Sequence, residues 1–151
     1  MPDSRVYTIL ETMRRRVEGD FTLKTSGIDM TGRAVLGSVI DPPYVPFASV
    51  HFIDFTTQHG PTMGRYSMVP RFEIYLFVGA PTLPERMRAA INLSSDVIEN
   101  LTANRFLGLD AGTIDDILCE FTAVDGDKYG LEGVAIGYIE VTTPFQSSTG
   151  I

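Results

Sequence analysis

The sequence predicts an α+β domain, a mostly antiparallel β-sheet with two main helices packed on one face. Three observations lead there. Two segments repeat apolar residues at helical spacing, four alternate or run apolar at strand spacing, and the order is helix, strands, helix, strands with turn residues between. The 151 residues suit one domain over 1–151, with about 144–151 as a loose polar C-terminal tail.

The first helix is predicted over Asp3–Glu18. Val6, Ile9, Leu10, Met13 and Val17 form one apolar stripe, Asp3 or Ser4 caps the start, and Gly19 closes the end. Arg14, Arg15 and Arg16 fall in the last turns, where positive charge suits the helix dipole. Residues 21–41 give a mixed signal of short β-prone pieces between glycines, read as a hairpin or an extended arm, and Asp41-Pro42-Pro43 breaks any ladder there. Phe47–Phe55 reads as a strand with Ala48, Val50 and Phe52 on one side and Ser49 and His51 on the other.

Thr56–Pro70, with Gly60, Pro61, Gly64 and Pro70, reads as a polar loop long enough to be an interaction element. Arg71–Val78 is the clearest strand: Phe72, Ile74, Leu76 and Val78 alternate with Arg71, Glu73, Tyr75 and Phe77. The second of these faces is amphipathic, which calls for something to cover part of it. The second helix is predicted over Leu83–Asn104, opened by Pro84 and striped by Met87, Ala90, Ile91, Ser94, Val97, Ile98 and Leu101. Strands over Ile117–Val124 and Leu131–Thr143 follow, joined by the polar turn Asp125–Gly130.

Composition narrows the function classes. Hydrophobic content of 44% and charged content of 21% belong to a folded domain. A formal charge of −7 does not suit a protein that grips phosphate backbones. No apolar run reaches the roughly 20 residues of a bilayer span, and Met1–Arg5 lacks the basic and apolar regions of a signal peptide, so a protein used without secretion or membrane insertion is expected. A single cysteine, Cys119, excludes an intrachain disulfide.

No catalytic, cofactor or metal constellation is legible. Strand alternation places His51 and Asp54 on opposite faces, and zinc needs three or four convergent ligands. Cys119 lies in an apolar strand, the setting of an inert thiol. Asp125-Gly126-Asp127 starts like a calcium loop, but the closing position falls on Ile136. Nucleophile elbow, phosphate loop and dinucleotide fingerprint are all missing from the sequence. The expectation is therefore a protein that is not an enzyme and takes no cofactor.

The layout does resemble a known family. An amphipathic N-terminal helix, a gapped β region, the strand Arg71-Phe72-Glu73-Ile74-Tyr75-Leu76-Phe77-Val78, a helix of about twenty residues and the terminal hairpin Leu118–Val124 with Leu131–Val141 together resemble the tail terminator proteins of long-tailed bacteriophages. The resemblance covers nearly the whole chain and rests on segment order and size. It implies a structural virion protein of the tail neck, assembled in the host cytoplasm. A hexameric ring would cap the tail tube protein, stop its polymerisation and meet a head-side connector or stopper protein, with genomic DNA passing through the lumen unread. Rival readings are a tube or other head–tail connector subunit, an adaptor of a non-viral complex, and a small ligand-binding or enzymatic α+β domain.

A ring of identical copies needs two different patches that fit each other. The charged candidates are Arg14, Arg15 and Arg16 at the helix end against Asp115 and Asp116, flanked by Asp110 and Glu120. Tyr75 and Phe77 are the apolar candidates, and Met63, Arg65 and Met68 come from the Thr56–Pro70 loop.

Overall fold

The computed structural model describes residues 3–59, 64–104, 107–110 and 113–147. Helix α1 is Arg5–Val17. Ser4 caps it, its Oγ accepting from the Tyr7 N–H at 3.1 Å. Strand β1 (Ala34–Leu36) precedes the long hairpin of β2 (Phe47–His59) and β3 (Tyr66–Gly79). Helix α2 is Leu83–Thr102, capped by Thr82 with proline in its first turn. Strands β4 (Leu118–Asp125), β5 (Val134–Thr142) and β6 (Phe145–Ser147) complete the chain, with a short 3-10 turn, Gly126–Tyr129, between β4 and β5.

The sheet runs β1-β2-β3-β5-β4, with β6 pairing the start of β3. Among the described strands, only the β1–β2 pair is parallel; the others are antiparallel. Both helices cover one face. α2 packs on β3, β4 and β5, while α1 packs on α2, β1 and β2. The core between these layers holds Ile9 and Met13 of α1, Leu93 and Val97 of α2, and Val50, Phe72, Ile74, Leu76 and Ile139 of the sheet, all fully buried. α2 lies close against the sheet at Gly137, where a Cβ would run into the Ser94 hydroxyl.

Several expectations need correction. Thr56–Pro70 is not a loop. β2 continues to His59 and β3 begins at Tyr66, so the connection is confined to the few residues between. Pro70 is accommodated where the neighbour of β3 changes from β6 to β5, and its carbonyl accepts from the Thr143 N–H at 3.3 Å. The segment after Pro144 is not a loose tail as far as it is described. Phe145 is fully buried and β6 pairs Tyr66–Met68; residues 148–151 lie outside the described residues. The buried stripe of α2 is rotated relative to the predicted one: Leu93 is buried, and Ile91 is exposed. Leu10 is half-buried at the edge of the α1 stripe.

Candidate interaction surface

The sheet face away from the helices carries the chemistry of this molecule. Register sorts it into rows across the strands. Phe47, Phe77, Ile136 and Val124 form one row, and Ser49, Tyr75, Tyr138 and Thr122 the next. His51, Glu73, Glu140 and Glu120 follow, and then Asp54, Arg71, Thr142 and Leu118. The face thus changes along the strands from apolar through aromatic to acidic.

At the apolar end, Phe47, Phe77 and Ile136 form a second buried cluster, with Val39, Tyr75, Val124, Leu131 and Val134 against it. The segment after β1 supplies the cover foreseen for this face. Gly37 N–H donates to the Val50 carbonyl at 2.9 Å. Tyr44 meets Phe47 edge-on with centroids 5.4 Å apart, and Arg33 stacks over Tyr44 at 5.1 Å. The cover is incomplete. A groove of about 580 Å³ opens between Val39 and Ile40 on one side and Tyr129 and Leu131 on the other, floored by Tyr75 and Tyr138.

In the acidic row, Glu73 is the cross-strand partner of Glu140, and Glu140 of Glu120. Like charges directly opposite in a sheet destabilise it. The chain offsets this in part. Tyr138 donates its hydroxyl to Glu73 at 3.1 Å, and Arg71 reaches Glu140 at 3.3 Å. Burial first, then the Glu73 hydrogen bond, pushes the Tyr138 phenol up to about 12. Arg71 is mainly committed to Asp54, with two bonds of 2.8 and 2.9 Å that hold the Asp54 carboxyl below its ordinary range.

A β-bulge changes one expectation. The β2–β3 register shifts between Phe52 and Asp54, so Asp54 pairs Arg71 and shares the outer face with His51 and Glu73. Simple alternation had placed His51 and Asp54 on opposite faces. No group of three or more His, Cys, Asp or Glu among the described residues could hold a metal ion. Cys119 is partly buried, and that burial pushes its thiol up to about 11.

No family model and no curated protein matches the sequence. Among solved structures, the chain is similar to one from the virion of a native gene transfer agent (GTA) particle. The two align with a TM-score of 0.60 and 11% identity, over 97% of this chain and 100% of that one. The likeness establishes a shared fold.

The residues singled out from sequence are dispersed. Arg14 is committed within α1, bonding Glu11 at 2.7 Å and Glu18 at 2.8 Å. Its guanidinium holds the Glu11 carboxyl below the usual carboxylate range. Arg15 is well exposed, its Nε 3.5 Å from Glu11. Arg16 lies against Gly108, and its carbonyl accepts from Asn100 at 2.7 Å. Asp115 donates its backbone N–H to the Pro144 carbonyl at 2.8 Å, and the Asp116 carboxylate accepts from the Ile117 N–H at 2.8 Å. Met63 lies outside the described residues, and Arg65 is exposed beside the hairpin turn. Met68 faces the helices and is buried in the main core, so its side chain is not a surface contact. Tyr75 is half-buried and Phe77 buried, both at the covered end of the outer face. Sequence reading missed the glutamate row because alternation assigns faces but not which residues stand opposite.

Proposed function

We propose that this chain is a structural protein of a phage-like virion, a tail terminator whose hexameric ring caps the tail tube, ends its growth and meets a head-side connector. The observation that carries the reading is an end-to-end equivalence of fold with a chain of a gene transfer agent virion, over 97% of this chain and 100% of that one. The equivalence spans the whole domain rather than a shared motif, so it favours a common assembly role over a common fragment. The charge balance agrees. At −7 overall, the chain would line a DNA passage without gripping phosphates. Terminator and tube-subunit readings differ in one respect: a terminator stops at one ring, whereas a tube subunit adds rings without limit.

Native mass spectrometry and negative-stain microscopy of the purified chain test this. A closed species of six chains that does not grow with concentration is expected. Open-ended tubes would replace the terminator with the tube subunit, and a monomer at every concentration reached would refute a ring of either kind.

A further inference from the structure

Two features of the molecule, on opposite sides of the sheet, fit each other. One is a displayed leucine. Leu23 is 98% exposed, and no large apolar side chain among the described residues is more so. It sits on a firmly held loop. The buried Asp96 carboxylate of α2 accepts from the N–H groups of Thr25 and Ser26 at 3.3 and 2.7 Å. Phe21 is buried beneath the loop, and its carbonyl accepts from the Lys24 N–H at 2.9 Å. The buried carboxylate thus fixes the backbone of a loop that holds Leu23 in solvent. The same bonds satisfy the Asp96 carboxylate, which is buried.

The other feature is the groove of the outer face, with its aromatic floor and the Ile40 and Tyr129 rim, 78% and 63% exposed. The Tyr75–Tyr138 row of its floor is followed, two residues along the strands, by the Glu73–Glu140–Glu120 row. That step is about 7 Å. Lys24 follows Leu23 with about 3.8 Å between Cα atoms, and its flexible stem spans the remaining offset. In the isolated chain Lys24 meets Glu99 at 3.1 Å, but both side chains are more than half exposed, so the pair exchanges readily.

We propose that Leu23 of one copy seats in the outer-face groove of the next copy, with Lys24 moving onto the glutamate row. The loop is held against α2 on the helix side of the sheet and the groove opens on the other side, so the contact joins different patches of two copies. Repeated by a rotation that returns to the first copy, such a contact closes a ring. The proposal rests on the ring reading above and names its interface.

The test mixes two single-cysteine variants, Leu23→Cys and Ile40→Cys, each carrying Cys119→Ser, under mild oxidation. Leu23 and Ile40 are exposed, so the new cysteines leave the fold intact, and Cys119→Ser alone, at a partly buried site, is the folding control. A disulfide formed in the mixture and in neither variant alone is expected. Leu23→Asp should also weaken self-association about 10- to 100-fold, about 1.4–2.8 kcal/mol per contact, with an unchanged melting temperature of the dissociated chain. An intact oligomer in Leu23→Asp without a mixed disulfide overturns this interface and leaves the ring standing. A disulfide in Leu23→Cys alone would mean that like patches meet, which also overturns it. A wild-type chain that stays monomeric removes the ring and this contact together.

Discussion

Gly137→Ala tests how closely α2 rests on the sheet. A methyl group there would collide with the Ser94 hydroxyl, with the Ala90 carbonyl 3.4 Å away and Leu76 Cβ at 3.5 Å. Ser94 is fully buried and its hydroxyl has no hydrogen-bond partner among the described residues, so no such bond is lost if it moves, but the surrounding packing must give. Overpacking of this kind costs about 1–3 kcal/mol. Replacing glycine in a strand returns roughly 0.5–1 kcal/mol by restricting the unfolded chain. The net change is expected to lie between no loss and a loss of about 2.5 kcal/mol, a fall of up to about 10 °C in melting temperature.

Ser94→Ala removes both the obstacle and an unbonded buried hydroxyl, and by itself is expected to be neutral or stabilising by up to about 1 kcal/mol. The double variant should then be at least as stable as the wild type, a coupling of about 1 kcal/mol or more. Urea denaturation of the four proteins measures the cycle. A double variant equal to the sum of the singles would refute the close approach.

Three further outcomes follow from the same structure. Met68→Ala should cost about 2–5 kcal/mol by emptying a core site, whereas Arg65→Glu, three residues earlier and exposed, should stay within about 0.5 kcal/mol; equal effects in thermal melts would contradict the placement of Met68. Glu120→Lys places an opposite charge across from Glu140 and should stabilise the isolated chain by about 0.2–1 kcal/mol, and destabilisation in low-salt urea titrations would mean the row is not strained. The Cys119 thiol, raised from 9.0 to about 11, stays protonated in the fold after the unfolded chain ionises, so stability should fall as pH rises from about 9 to about 11 and be unaffected by this group below that window; Cys119→Ala should flatten part of that fall, and an identical alkaline profile would remove the group from it.

The legible parts of the fold were those where one face is buried and the other is wet. α1 and the Arg71–Val78 stretch were readable because their burial follows a single period. The outer half of the β2–β3 hairpin was not, since its strands carry polar residues and Pro70 and look like a loop when read alone. The tail misled for a related reason: one buried phenylalanine, Phe145, ties it to the sheet amid polar neighbours. The α2 stripe was misplaced because Asp96 and Arg86 are also buried on that helix, where backbone donors and the Asp125 carboxylate receive them.

By itself, the sequence determined the α+β class, the two helices, the acidic balance and the alternation that gives β3 a helix-facing and an outward-facing side. Those are properties of short stretches of chain, set by side-chain period and composition. The tertiary structure alone decided what stands beside what. Pairing of β3, β4 and β5 brings Glu73, Glu140 and Glu120 into one row. A bulge in β2 moves Asp54 onto the face of His51. Asp96 anchors the loop that displays Leu23, from seventy residues away along the chain. Each depends on register between distant segments. A one-residue slip in register would turn every side chain of a strand to the other face, and the choice among registers is made by packing of the whole core rather than by any local signal.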